Sequence, residues 1–103
     1  MSTLIEIAPE IIEDTFLDEA REPPYRVIIH NDDVTPMDFV IAVLMRIFAL
    51  TIEDSGQVMM IAHLKGIARV ATMSQKEAQK KVGKAHFAAS LEGYPLLFTI
   101  EPE

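Results

Sequence analysis

The stretch Tyr25-Arg26-Val27-Ile28-Ile29-His30-Asn31-Asp32-Asp33-Val34-Thr35-Pro36-Met37-Asp38-Phe39 decides how the chain is read. Tyr25 to Ile29 alternates as a half-buried strand does. A helix-periodic run follows Phe39, so His30 to Phe39 is a strand-to-helix turn. Thr35 stands where an N-cap belongs, Pro36 fits the first helical position, and Asp38 completes a T-x-x-D capping box. Local structure gives Asn31, Asp32 and Asp33 no such task. The plain reading is that they shape a turn; the alternative is that they bind something.

Working downstream, Met37 to Leu50 carries Phe39, Val40, Val43, Leu44, Ile47 and Phe48 on one broad helical face. Thr51 restarts a helix, with Asp54 completing a second capping box. Val58, Met59, Ile61, Ala62 and Leu64 are its apolar residues, with His63 among them. Gly66 ends it where a left-handed residue costs least. Ile67 to Met73 reads as a short strand of β-branched and small residues. Ser74-Gln75-Lys76-Glu77 is a third capping box and opens a helix to about Leu91. Ala78, Val82, Ala85 and Ala89 are apolar there, and Lys76, Lys80, Lys81 and Lys84 stand on other faces. Gly93 closes that helix, and Leu96 to Glu101 alternates as a last strand. The order β-α-α-β-α-β implies an α+β fold, a small sheet with helices on one face.

Upstream, residues 1–24 form an acidic N-terminal extension that stops at Pro23-Pro24, a pair that breaks any helix entering it. It holds seven acids against Arg21 alone, whereas residues 25–103 hold nine acids and eight bases. Most of the net charge of −7 therefore belongs to the extension. Ile11, Ile12, Phe16 and Leu17 give it a short apolar face, so it reads as an unpacked tail or as a segment that engages a partner. A near-neutral core of this kind is not expected to bind nucleic acid. No apolar run reaches the roughly 18 residues of a membrane span, and no basic-then-apolar leader precedes a cleavage site. A soluble cytoplasmic protein is expected. With 103 residues, half of them hydrophobic, one core domain is the ceiling.

The chemistry open to these residues is narrow. There is no cysteine, hence no disulfide, thiolate metal site or cysteine nucleophile. His30, Asp32, Asp33 and His63 are the candidate metal ligands, and no ligand spacing binds them together; neither a metal nor a cofactor is expected. There is no G-x-S-x-G elbow, and Ser55, Ser74 and Ser90 look like cap or surface residues. The acidic, glycine-free turn is unsuited to phosphate. Adjacent Asp32 and Asp33 rarely converge on one bond, which argues against carboxylate-pair hydrolysis. Asn31, Asp32, Asp33 and His63 do suit a cation bearing several N–H donors. A carbonyl, a carboxylate and a neutral imidazole all accept, and an α-ammonium offers three donors.

Tyr25 to Ile29, then Asn31-Asp32-Asp33-Val34-Thr35-Pro36-Met37-Asp38-Phe39-Val40, resembles the signature of the ClpS family. Met59-Met60-Ile61-Ala62-His63-Leu64-Lys65-Gly66 and Tyr94-Pro95-Leu96-Leu97-Phe98-Thr99 continue the likeness, which covers about Tyr25 to the C-terminus. N-D-D-x-T-P-M with a helical His-x-x-Gly and a terminal P-L-L is specific in combination. The resemblance implies a non-enzymatic adaptor that carries N-degron substrates to the ClpA or ClpC unfoldase of the ClpP protease. It implies a three-stranded antiparallel sheet with three helices, residues 25–103, behind a mobile extension that engages the unfoldase. Positions matching Asn31, Asp33 and His63 would hold the substrate's free α-amino group, with Asp32 aiding the adjoining peptide backbone. Thr35, Met37, Val40, Met59, Ala62 and Leu96 match positions that line or border an apolar pocket for a first Leu, Phe, Tyr or Trp. Met37 matches a gate that excludes β-branched residues. The implied partners are the unfoldase N-terminal domain and N-degron peptides, with no membrane, and a monomer is expected.

Three positions depart from the family pattern. Val34 replaces a common aromatic residue, and Ala62 replaces a branched one at the pocket floor. Lys76 stands where a docking Glu is common, although Lys81 matches the docking lysine; the plain reading of the lysine face is a solvated surface. Two other readings compete. One is a module of the same fold that docks on the unfoldase without reading N-termini. The other, from a different class, is a small hydrolase using Asp32, Asp33 and His63.

Overall fold

The computed structural model describes residues 22–103, so the expectations for residues 1–21 lie outside the described residues. Three strands, β1 (Pro24–His30), β2 (Ile67–Ser74) and β3 (Leu97–Pro102), alternate with three helices, α1 (Met37–Arg46), α2 (Ile52–Lys65) and α3 (Gln75–Glu92), in the order β-α-α-β-α-β. The sheet order is β2-β1-β3, and β1 pairs antiparallel with both neighbours. His30 lies opposite Ile67 on one side and Leu97 on the other, and Pro24 lies opposite Ser74.

β1 departs from strict alternation: Val27, Ile28 and Ile29 are all buried. It is the central strand, and Ile28 stands on the open face between Arg69 and Thr99 of the two flanking strands. Long neighbouring stems can cover such a residue without a helix above it. The register with β2 shifts between Val27 and Ile28, so Val70 is the extra residue of a bulge. Val70 joins the core, and Ala71 packs against it from the next position.

The core lies between the other face of the sheet and the helices. Val27, Ile29 and Phe98 meet Leu44 and Phe48 there, and the Phe48 and Phe98 rings sit 5.0 Å apart. Ala78, Ala85 and Ala89 of α3 are at most 1% exposed, so small residues line the buried face of that helix. Ser74 caps α3 by accepting from the Glu77 amide at 3.2 Å, and Gly93 ends it at φ 76°. His86 reaches from α3 to the sheet, where its Nε2 accepts from the Phe98 amide at 3.0 Å.

One reading of the helices needs correction. The first helix stops at Arg46 rather than continuing to Leu50: Ala49 takes a left-handed φ of 58°, and the Leu50 amide turns back to the Leu44 carbonyl at 3.1 Å. A bond of this kind satisfies a helix-end carbonyl without the usual glycine. In α2, Ala62 is buried, but Ile61 and Leu64 are exposed at 45% and 72%. Only one side of α2 meets the core, and those two positions fall off it.

Candidate functional site

The turn after β1 is built by Asp32. Its Oδ1 accepts from the Val34 amide at 2.9 Å and from the Thr35 amide at 2.7 Å, and its Oδ2 accepts from the Thr35 hydroxyl at 3.0 Å. The expected Thr35 capping box does not form. Pro36 is the N-cap residue, without a side-chain cap bond, and the Asp38 carboxylate accepts from the Phe39 amide next door at 2.9 Å. An ionised carboxylate is a stronger acceptor than a hydroxyl, so Thr35 turns back to Asp32 as a donor. Burial works against the charge on Asp32, but the hydrogen bonds from the Thr35 amide, the Val34 amide and the Thr35 hydroxyl outweigh it. They hold the carboxyl below its ordinary value.

Asn31, Asp33 and His63 are exposed and take no part in those bonds. The backbone brings them together. α2 starts where Thr51 accepts from the Asp54 amide at 3.0 Å, and it ends at Gly66, left-handed at φ 93°. The Gly66 carbonyl then accepts from the Asn31 amide at 2.9 Å. The residue three before Gly66 is His63, so one bond fixes the end of its helix against the acidic turn.

Between turn and helix lies a cavity of about 310 Å³. Asn31, Asp32, Asp33 and His63 all line it, as do Thr35, Met37, Val40, Met59, Ala62 and Leu96. Its apolar wall comes from three elements: Val40 of α1, Ala62 of α2, and Leu96 just before β3 are each less than 9% exposed. Met37 is 59% exposed at the same cavity. Such a volume is at the small end of the roughly 300–1,000 Å³ of ligand pockets. It suits one amino-acid side chain rather than a large cofactor. Acceptors beside an apolar wall can hold an ammonium group and its attached side chain together.

The cavity also takes in residues that sequence reasoning did not assign to it, Met60 and Pro36 among them. Met60 neighbours Met59 at half exposure, and the helical period of α2 was the available signal. His30 lines the cavity too, yet its ring Nε2 is 2.7 Å from the Thr99 hydroxyl. Among the described residues, no three His, Cys, Asp or Glu side chains form a metal-holding group, and no helix is long and apolar enough to cross a membrane. Lys76 and Lys81 lie away from the cavity on α3, where Lys81 pairs with Glu77 at 3.8 Å.

Residues 20–99 match the family model of the ATP-dependent Clp protease adaptor protein ClpS. An ATP-dependent Clp protease adapter protein ClpS of Nitratidesulfovibrio vulgaris is 40% identical over 82% of this chain and 85% of its own length. ClpS 2 of Mesorhizobium japonicum is 43% identical over 81% of this chain and 82% of its own length. Among solved structures, Agrobacterium tumefaciens ClpS2 bound to L-phenylalaninamide is 38% identical. It superposes with a TM-score of 0.77 over 81% of this chain and 100% of that one.

Proposed function

The chain belongs to the ClpS family of Clp protease adaptors, whose members are not enzymes, and from that premise we propose that it reads free N-termini. In this reading it binds proteins whose first residue is Leu, Phe, Tyr or Trp and delivers them to the Clp unfoldase. The observation that carries the reading is the rim of exposed acceptors, Asn31, Asp33 and His63, on a cavity whose wall is apolar. Those three side chains accept from the α-ammonium. Asp32 holds the turn and borders the adjoining peptide backbone. Thr35, Met37, Val40, Met59, Ala62 and Leu96 line or border the space for the first side chain.

L-phenylalaninamide, the ligand of the Agrobacterium relative, supports this reading. It has a free α-amine, an aromatic side chain, and an amide in the place of the next peptide bond. The magnitudes agree with a carrier that must release its cargo. Burying one Leu or Phe contributes about 1.5–3 kcal/mol, and each hydrogen bond to the charged amine about 1.5–3 kcal/mol. Lost freedom of the peptide offsets several kcal/mol of this. A net of about −8 kcal/mol corresponds to micromolar affinity.

The unfoldase is of the ClpA or ClpC type in this reading, its N-terminal domain docks on the face carrying Lys76 and Lys81, and the adaptor acts as a cytoplasmic monomer. Residues 25–103 form the binding domain, and residues 1–24 the extension that engages the unfoldase. Fluorescence anisotropy with peptides differing only at the first residue tests the reading. Free Phe and Leu termini should bind, whereas Ser, Ile and acetylated Phe should not. Equal binding of acetylated and free peptides would overturn it. Indifference to the first residue would favour a same-fold modulator of the unfoldase instead.

A further inference from the structure

Val40 and Leu96 wall the cavity from two different elements, α1 and the segment just before β3. An apolar gap in water tends to close, because closing it removes apolar surface from solvent. A pocket kept open for a ligand therefore needs a spacer behind its walls. Such a spacer stands beside these two walls in the sequence. Phe39 precedes Val40, Tyr94 lies two residues before Leu96, and their rings meet edge to face with centroids 4.9 Å apart and planes at 75°. Both residues are half-buried against the core, and neither is among those that line the cavity. Met37 and Val40, three residues apart, share the cavity side of α1. Phe39 stands about 100° round the helix from Val40.

We propose that the Phe39–Tyr94 pair is a strut that sets the width of the cavity, and so ranks the first side chains that fit it. The proposal rests on the reading that this cavity takes the first side chain of a free N-terminus. Each end of the strut is anchored by backbone. At the Tyr94 end, Gly93 turns left-handed at φ 76° and its amide donates to the Ser90 carbonyl at 3.1 Å, while the Tyr94 amide donates to the Ala89 carbonyl at 2.9 Å. Pro95 then fixes its own φ and biases Tyr94 toward extended backbone. Ring and wall on this side are thus two stiff residues apart, tied to the end of α3. At the Phe39 end, the Val40 amide donates to the Pro36 carbonyl at 3.1 Å and sets the first turn of α1. With edge against face, α1 cannot settle closer to the segment carrying Leu96. Phe39 and Tyr94 are positioning residues, acting through Val40 and Leu96 without touching the bound side chain.

Fluorescence anisotropy with peptides beginning in Leu, Phe, Tyr and Trp tests the strut in the full chain. In Tyr94→Leu the walls draw together, so the ratio of Trp to Leu dissociation constants should rise about twofold to tenfold, the range of an edge-to-face pair. Tyr94→Phe keeps the ring and should keep the wild-type ranking. Phe39→Leu should shift the ratio in the same direction, and the double variant no further than either single one, because both remove the same contact. A readout without ligand accompanies these: the nuclear Overhauser effect between Val40 and Leu96 methyl groups should strengthen in Tyr94→Leu, whose amide spectrum reports whether the fold is intact. An equal loss for all four peptides, or a shift in favour of Trp, would overturn the strut while leaving the reading of N-termini in place. Wild-type protein that binds acetylated and free peptides alike would overturn that reading, and the strut with it.

Discussion

The amide of Asn31 donates to the carbonyl of Gly66 at 2.9 Å, and this bond couples two segments that are far apart in sequence. One is the acidic turn that Asp32 shapes. The other is the end of α2, where the chain can accept the Asn31 amide because Gly66 has turned left-handed at φ 93°. Asn31, Asp33 and His63 therefore face one cavity through a backbone link, with their side chains left available.

Replacing Gly66 tests that link. Nothing lies within 4 Å of an added Cβ, so Gly66→Ala meets conformational strain rather than a clash. A left-handed L-residue costs about 1–2 kcal/mol. Urea unfolding should register that loss, and Gly66→Asn should lose less because Asn tolerates the conformation better. Affinity for a free N-terminal Phe peptide should fall in Gly66→Ala, since the carbonyl that holds Asn31 moves. An unchanged urea midpoint would contradict the strain argument.

Asp32 gives the turn a pH dependence with a definite sign. Its folded-state value is lowered by the bonds from Thr35 and Val34, so its contribution is present above the unfolded value of about 3.9. The contribution is lost as pH falls through the lower folded value. Asp32→Asn keeps an acceptor oxygen and loses the charge. Stability curves of the two proteins should differ at neutral pH and converge in acid. A gap that stays constant down to acid unfolding would show that the carboxylate charge plays no part.

The same turn explains what the sequence did and did not disclose. Thr51 and Ser74 cap their helices as T-x-x-D and S-x-x-E predict, because no carboxylate just upstream competes for them. Thr35 has the same pattern but lies three residues after Asp32, which captures its amide and hydroxyl. A capping box counts the residues ahead and is blind to an acceptor behind. Ala49 carries no stop signal, so the end of α1 at Arg46 was not readable either. Asn31, Asp33 and His63 were legible as surplus acceptors. That they meet Val40, Ala62 and Leu96 at one cavity depends on three elements converging, and only the family resemblance pointed to it.

His86 offers a stability test away from the cavity. Its Nε2 accepts from the Phe98 amide at 3.0 Å, and its ring lies 6.2 Å from that of Phe98, which is buried in the core. In His86→Ala the amide loses its acceptor, a change that costs about 1–3 kcal/mol for a buried group. Urea unfolding should move by that amount, and the amide of Phe98 should exchange faster with solvent. Unaltered exchange at Phe98 would mean that the imidazole is not its acceptor.

Ala62 sets the size of the cavity floor. It is 3% exposed, belongs to the core cluster and lines the cavity together with Val40 and Leu96, so added methyl groups there are expected to take up cavity space. In Ala62→Val the depth shrinks while Asn31, Asp33 and His63 are untouched, and the loss should fall on side-chain fit alone. One methylene in an apolar pocket is worth about 1–3 kcal/mol in discrimination. Peptides beginning with Trp, Tyr and Phe should therefore weaken about tenfold or more, and one beginning with Leu should weaken least. Overpacking could also disturb the core by about 1–3 kcal/mol, so the urea midpoint is measured alongside. A uniform loss across all four peptides at unchanged stability would move the specificity pocket away from Ala62.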